Sequence, residues 1–225
     1  MPANRSTAVM QRRVEPHDSL DDFPTPPWAT RALCEFLSGA GGAPLARQLA
    51  REPAANRGHM VAPLTEYFRA VEAADVHDYG AGFPVRDYLF GAAPRPVDWT
   101  ITNPPFRLAE QFIARALLTS RRGVAMLVRT TFLEGVGRHQ RLFDVEPPTV
   151  VLQFAERVVM HKGRLAPEGS TATAYCWLVW FQGVDAGDTV LRWIRPCRAR
   201  LERPGDYPPA PEPASEPVPL LGEAS

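Results

Sequence analysis

Short apolar runs typical of strands alternate with amphipathic segments typical of helices, and this alternation limits the possible folds most strongly. The first two predicted strands end near Glu52 and Asp75, and the later ones cover 99–103, 123–129, 149–160 and 171–181. The predicted helices cover 25–39, 60–68, 107–120 and 136–143. Thr25 is the expected N-cap of the first helix.

The last two predicted strands have no helical pattern between them, so they are expected to pair antiparallel. Strands that alternate with helices and close on such a pair predict the α/β class, with a mainly parallel sheet and a reversed edge. A chain of 225 residues, 45% of them hydrophobic, can bury a full core in one domain.

The two ends of the chain differ from its middle. Residues 1–21 are polar and unpatterned, and 201–225 are rich in Pro, Glu, Ala and Ser. We expect the first segment to be disordered and the second to be an extended, unpacked tail. The folded domain is therefore predicted to cover 22–200.

Composition excludes several classes of protein. The 25 basic and 25 acidic residues cancel, so global charge gives no argument for a nucleic-acid or membrane partner. The three cysteines are widely spaced and have no metal-ligand spacing, which favours a reducing cytoplasm and no metal site. With no signal-peptide pattern and no apolar run of roughly 20 residues, the chain is expected to be cytoplasmic and soluble.

The stretch "DWTITNPPF" carries the clearest chemical signal, because a predicted strand runs directly into Asn103, Pro104, Pro105 and Phe106. Ligands of parallel sheets bind where strands end, and the two prolines fix the backbone there. The Asn103 oxygen and a backbone carbonyl can each accept a hydrogen bond from one –NH2 group, while Phe106 can stack on a flat ring. This arrangement suits an exocyclic amine on a planar base, activated by positioning and electrostatics. An ordinary strand-ending turn is the alternative.

The "NPPF" segment resembles the motif of amino-methyltransferases, especially the DNA adenine-N6 family. "DFPTPPWAT" is similar to the amino-terminal cofactor segment of that family, and "EPAANRG" to its cofactor loop after the first strand. These segments occur in the family's order between residues 22 and 106. The resemblance implies S-adenosylmethionine as cofactor and a Rossmann-like methyltransferase fold with an antiparallel last strand. The segments "RTTFLEGVGRHQRLF" and "RVVMHKGR" resemble small methyltransferases of phages or prophages.

The resemblance also implies a role for individual residues. Asp75 would hold the ribose hydroxyls, with Asp78 as a competing neighbour, and Asp87 would meet the adenine amino group. Asn56 occupies the place of a loop glycine; Asn tolerates positive φ, but its side chain takes space beside the methionine moiety. The full cofactor set is Thr25, Pro26, Glu52, Pro53, Ala54, Asn56, Gly58, Asp75, Asp87 and Asn103.

The implied catalytic set is Asn103, Pro104, Pro105 and Phe106. The target base would be flipped out of its stack and packed on Phe106. Asn at the first motif position favours adenine over cytosine-N4, which is an inference from the family. Positively charged side chains near the same sheet edge could meet DNA phosphates, although a solvated helix face explains them equally well: Arg107, Arg129 and Arg138.

Target recognition leaves alternatives open, because the chain after Phe106 has room only for loops and not for a recognition domain. The same chemistry would serve an RNA base or a protein glutamine amide. A non-catalytic nucleic-acid-binding or antirestriction module that keeps the fold is a further alternative.

Overall fold

A seven-stranded sheet with the order β2-β1-β3-β4-β6-β5-β7 forms the centre of the protein. The computed structural model describes residues 21–169, 171–184 and 187–207. The strands are β1 (Leu49–Glu52), β2 (Ala70–Ala73), β3 (Val97–Thr102), β4 (Ser120–Arg129), β5 (Val150–Phe154), β6 (Tyr175–Phe181) and β7 (Val190–Ile194). The α-helices are α1 (Pro27–Gly39), α2 (Val61–Tyr67), α3 (Ala109–Thr119), α4 (Val136–Arg138) and α5 (Arg198–Leu201).

The strand directions confirm the predicted α/β class and correct one detail. Strands β2, β1, β3 and β4 run parallel, and β6 is antiparallel to both β4 and β5. The reversed strand is therefore inside the sheet and is not the last one, because β7 follows it and pairs parallel with β5. The sequence analysis missed β7 although its residues are mostly apolar; in the structure Val190, Leu191 and Trp193 are exposed.

Helices pack on both faces of the sheet, as predicted. Strand β4 contributes side chains to the core on each face. Ala125 and Leu127 belong to the core cluster on the α1 side, while Val124, Met126 and Val128 belong to the cluster on the α3 side. Side chains of a strand alternate between faces, so a strand that is buried on both sides reads as a continuous apolar run.

The start of α1 differs from the sequence prediction. Pro26 is the N-cap and Pro27 the first helical residue, where the missing N–H costs no hydrogen bond. Thr25 makes no side-chain cap; its hydroxyl accepts a hydrogen bond from the Asn103 side chain instead, at 3.1 Å. The residue is therefore used to hold the "NPPF" turn.

Both predicted domain boundaries have to be moved outward. Asp206, placed in the unpacked tail, binds the guanidinium of Arg31 at 2.6 and 2.8 Å, and Leu201 is buried. Arg31 is itself buried, and a buried guanidinium requires such partners. Asp21 contacts the motif and is not part of a free tail. The remaining tail predictions, 1–20 and 208–225, lie outside the described residues.

The long predicted strand 149–160 is shorter in the structure, because β5 ends at Phe154 and the chain then forms a connection that returns only at β6. This connection brings Met160 and Gly163 to the carboxyl edge of the sheet. No helix among the described residues has the length and apolar content needed to cross a membrane.

Gly123 in β4 should tolerate no side chain. An added Cβ would lie 2.4 Å from the Trp99 ring and 2.5 Å from the Trp180 carbonyl oxygen. Because both neighbours are rigid, we expect Gly123→Ala to lower the free energy of unfolding by about 1–3 kcal/mol. Gly39→Ala is the control, since nothing lies within 4 Å of its added Cβ. Urea unfolding measures both, and equal stability of the two variants would contradict the packing described for β4.

Candidate active site

The ends of β1 and β3 bring together two segments that are about 50 residues apart in the sequence. The strands are parallel neighbours, so Glu52 and Asn103 emerge at the same sheet edge. Thr102, the last residue of β3, donates a hydrogen bond from Oγ1 to Glu52 Oε1 at 2.5 Å. The predicted cofactor loop and the "NPPF" turn therefore adjoin each other.

The side chain of Asn103 is held in one orientation. Its Nδ2 donates to the Phe23 carbonyl oxygen at 3.0 Å and to Thr25 Oγ1 at 3.1 Å. A reversed amide would place its oxygen against the Phe23 carbonyl oxygen, so the observed orientation is the one that makes hydrogen bonds. Its Oδ1 is buried and has no hydrogen-bond partner among the described residues. An acceptor of this kind is suited to a donor from a bound molecule.

The turn after Asn103 is stiff. Pro105 precedes a 3-10 turn over Phe106–Leu108, and Pro104 is buried. The Phe106 backbone N–H donates to Asp21 Oδ2 at 2.6 Å, which fixes the start of that turn. Because proline has no N–H and a fixed φ, the positions of the turn carbonyls are set locally.

The ring of Phe106 has two close neighbours. The Phe23 ring centroid lies 5.5 Å away at 42°, and the Arg129 guanidinium carbon lies 3.8 Å from the Phe106 centroid. Burial raises the pKa of Tyr175, and the positive charge of the nearby Arg129 opposes that rise. Arg129, predicted as a phosphate contact, is thus part of the motif's immediate surroundings, and a molecule stacked on Phe106 would meet it.

The other two predicted phosphate contacts, Arg107 and Arg138, differ in how far their side chains are already engaged by the protein. Arg107 is exposed directly beside the motif. Arg138 donates to the carbonyl oxygens of Phe132 and Glu134 at 2.7 and 2.8 Å and to Glu110 at 3.2 Å. These bonds link α4 to α3, so the Arg138 guanidinium already stabilises the fold through its own hydrogen bonds.

The loop after β1 makes the tight turn expected of it. Asn56 has φ 51° and Gly58 has φ 87°, which confirms that the asparagine adopts the left-handed conformation. A Cβ on Gly58 would lie 3.0 Å from the Phe83 ring, so the position requires glycine on two grounds. The Ala54 N–H donates to Glu52 Oε1 at 2.9 Å, and Pro53 between them is buried.

The three candidate acids after β2 are separated by their contacts. Asp75 is buried, and its Oδ2 accepts the Asn56 N–H at 2.8 Å. Asp78 is exposed and accepts only a local bond from Gly80. Of the two neighbouring acids, Asp75 is therefore the one that adjoins the loop. Asp87 is exposed, with Oδ1 accepting the Leu89 N–H at 2.8 Å, and none of its described contacts reaches the loop or the motif.

Glu52 is a completely buried carboxyl group. Its pKa is raised to about 8, chiefly by burial and also by the charge of Asp75, while the hydrogen bonds from Thr102 and Ala54 oppose the rise. Its second oxygen, Oε2, has no hydrogen-bond partner among the described residues. No cluster of His, Cys, Asp and Glu in the described part of the chain could hold a metal ion.

Three contact residues were absent from the sequence-based site: Asp21, Phe23 and Met160. Asp21 and Phe23 hold Phe106 and Asn103, and Met160 Sδ lies 3.9 Å from Asn103 Nδ2. In the sequence, "DDF" before "TPPW" was the only signal that pointed to Asp21 and Phe23. No sequence signal pointed to Met160.

No family model and no curated protein matches the sequence. Solved structures do match the fold. A proposed class I S-adenosylmethionine-dependent methyltransferase from Listeria monocytogenes has a TM-score of 0.60 at 11% identity, over 78% of this chain and 67% of that one. A proposed RNA methyltransferase from Pyrococcus horikoshii has a TM-score of 0.54 at 18% identity, over 75% of this chain and 90% of that one.

A modification subunit of a proposed type I restriction enzyme from Vibrio vulnificus YJ016 also matches, with a TM-score of 0.54 at 16% identity. The match covers 76% of this chain but only 47% of that subunit. At these identities the likenesses show the fold: the chain has the Rossmann-like methyltransferase fold, with a mostly parallel sheet and one antiparallel strand.

Proposed function

We propose that the protein is an S-adenosylmethionine-dependent methyltransferase that acts on an amino group. The buried Oδ1 of Asn103, which has no hydrogen-bond partner among the described residues, is the observation that carries the proposal, because it lies on a stiff turn beside the loop after β1. Placing a lone acceptor oxygen inside a protein is costly unless a ligand supplies the donor.

The residues around the loop fit the proposed cofactor. Once the carboxyl of Glu52 has lost its proton, its buried Oε2 can accept from a cationic ammonium group, and the tight turn at Asn56 and Gly58 lets backbone approach the ligand closely. Asp75 is proposed to hold the ribose hydroxyls. The other members of the proposed set are Thr25, Pro26, Pro53, Ala54, Asp87 and Asn103. S-adenosylmethionine supplies an electrophilic methyl group when bound.

The acceptor side follows from the motif. Asn103 Oδ1 and the Pro104 carbonyl oxygen accept hydrogen bonds from the two N–H groups of the substrate amine. The nitrogen lone pair is then left free to point at the methyl group. As the N–C bond formed, the S–C bond of the cofactor would break, S-adenosylhomocysteine would leave, and the extra proton on nitrogen would pass to solvent. Phe106 stacks on the ring that bears the amine. No general base is required before transfer, since positioning and electrostatics supply the rate.

Adenine N6 in DNA is the proposed target. The order of the "NPPF", "EPAANRG" and "DFPTPPWAT" segments supports this assignment, and exposed Arg107 is proposed to meet backbone phosphates. The proposed RNA methyltransferase is matched over 90% of its length, whereas the type I subunit is matched over 47% of its own. This coverage makes RNA the second candidate, with a glutamine amide and a non-catalytic binding module after it.

Transfer of a labelled methyl group decides among these targets. The protein is incubated with labelled cofactor and duplex DNA, ribosomal RNA or a protein fraction, and the products are hydrolysed and separated. We expect label in N6-methyladenine from DNA, and none with an Asn103→Ala variant. Label confined to RNA or protein would support an RNA base or a glutamine amide as the target. Label in no fraction would contradict the proposal that the protein is a methyltransferase.

Asp75→Ala should weaken cofactor binding by about 10- to 100-fold, because it removes a charged acceptor and also the bond that orders Asn56. Asp78→Ala is the matched control, because Asp78 is a nearby acid that accepts a local bond from the Gly80 N–H. Calorimetric titration measures both dissociation constants. If the two variants bound the cofactor equally well, Asp75 would not be the ribose ligand.

A further inference from the structure

Residues 21–25, which we call the strap, hold the motif from the side opposite the sheet core. Asp21 Oδ2 accepts the Phe106 N–H at 2.6 Å. The Phe23 carbonyl oxygen and Thr25 Oγ1 accept the two Asn103 side-chain bonds. Both ends of the catalytic turn are therefore fixed by one short segment.

The strap is itself anchored to the cofactor loop through Asp22. This residue is only 7% exposed. Its Oδ1 accepts a bond from Asn56 Nδ2 at 2.7 Å, and Arg57 Nη1 lies 3.1 Å from Oδ1 and 3.0 Å from Oδ2. The Asp22 carbonyl oxygen accepts the Gly163 N–H at 2.8 Å. Charge-assisted bonds of this kind are about twice as strong as neutral ones.

We propose that Asp22 and Asn56 are positioning residues, which tie the cofactor loop to the strap and so hold the Asn103 amide in its reactive orientation. The inference rests on the proposed function for its catalytic consequence. Asp22 and Asn56 act through the strap: when their bond is lost, the strap samples detached states, and Asn103 Nδ2 loses its partners. The amide then rotates, and its oxygen no longer faces the substrate amine consistently.

This role explains why asparagine stands at a loop position where the resembling family has glycine. Backbone geometry alone would favour glycine, since the residue has φ 51°. Glycine has no Nδ2 and cannot bind Asp22. The glycine variant should therefore be the poorer enzyme, although it relieves backbone strain and matches the family pattern.

The test uses Asn56→Gly, Asp22→Ala, their double variant and the conservative Asp22→Asn. Glu35→Ala is the control, because it removes a bidentate carboxylate–arginine pair between Glu35 on α1 and Arg200 on α5. Hydrogen exchange of the Phe106 and Gly163 amides reports on the strap in the free protein. The turnover number is measured at saturating cofactor, together with the Michaelis constant for the acceptor.

We expect exchange of both amides to become about 10-fold faster, and turnover to fall about 10-fold, in Asn56→Gly and Asp22→Ala. The double variant should be no slower than Asp22→Ala, since Asp22→Ala already removes the bond between Asp22 and Asn56. Asp22→Asn keeps an acceptor oxygen and should recover part of the loss, and Glu35→Ala should match the wild type.

Unchanged amide exchange in both single variants would overturn the inference whether or not the protein is an enzyme. Faster exchange with wild-type turnover would also overturn it, because the strap would then position nothing. A wild type without methyl transfer would refute the proposed function separately. In that case, exchange of the Asn103 side-chain protons still decides the inference: equal rates in the wild type and Asp22→Ala reject it.

Discussion

Replacing Asn103 with alanine should lower the rate of methyl transfer at saturating cofactor by about 100- to 1,000-fold. The variant loses the buried Oδ1 that is proposed to accept a hydrogen bond from the substrate amine. Only the Pro104 carbonyl would remain to orient the nitrogen. Cofactor affinity should change little, since Glu52 and the loop after it keep their contacts.

Asn103→Asp separates the two functions of the side chain. It keeps an acceptor oxygen but loses the Nδ2 donor that binds Phe23 and Thr25. We expect it to fall between the wild type and Asn103→Ala in turnover, because its orientation is no longer fixed. Single-turnover kinetics with labelled cofactor measure all three, and wild-type turnover in the alanine variant would remove Asn103 from the mechanism.

Stability should depend on pH through Glu52. Its folded pKa, about 8, lies above its ordinary value of 4.5. The folded protein therefore binds a proton at Glu52 that the unfolded chain releases between these values. The corresponding stability is complete below pH 4.5 and is lost as pH rises through about 8. The expected loss is on the order of a few kcal/mol.

Glu52→Gln removes this titration while keeping the shape of the side chain. Its stability relative to the wild type should therefore increase steadily from pH 5 to pH 9, whatever the difference is at pH 5. Urea unfolding of both proteins at pH 5, 7 and 9 measures this change. Parallel stability curves would show that the Glu52 carboxyl does not remain protonated in the folded protein.

Local patterns in the sequence were sufficient for most of the sheet and for the location of the motif. The sequence of 123–129 predicted a buried strand, and β4 includes it, with side chains buried on both faces of the sheet. The position of Asn103 after a strand placed it at the carboxyl edge, and parallel pairing of β1 with β3 then brought it to Glu52.

Contacts that depend on distant parts of the chain were not predictable. The partners of Arg31 include Asp206, which is 175 positions away in a segment with a disordered composition. Asp22 was predicted to lie in a cofactor segment, but nothing in the pattern showed that it would bind the side chain of Asn56. Arg129 follows a strand, as predicted, yet its stacking on Phe106 depends on the side-chain packing of three elements.

Calorimetric titration of S-adenosylmethionine into the full chain tests the central claim most directly. The account predicts saturable binding at one site, competed by S-adenosylhomocysteine and weakened in Asp75→Ala but not in Asn103→Ala. An absence of saturable binding to the wild type would contradict the account, and would leave a methyltransferase fold used for something other than methyl transfer.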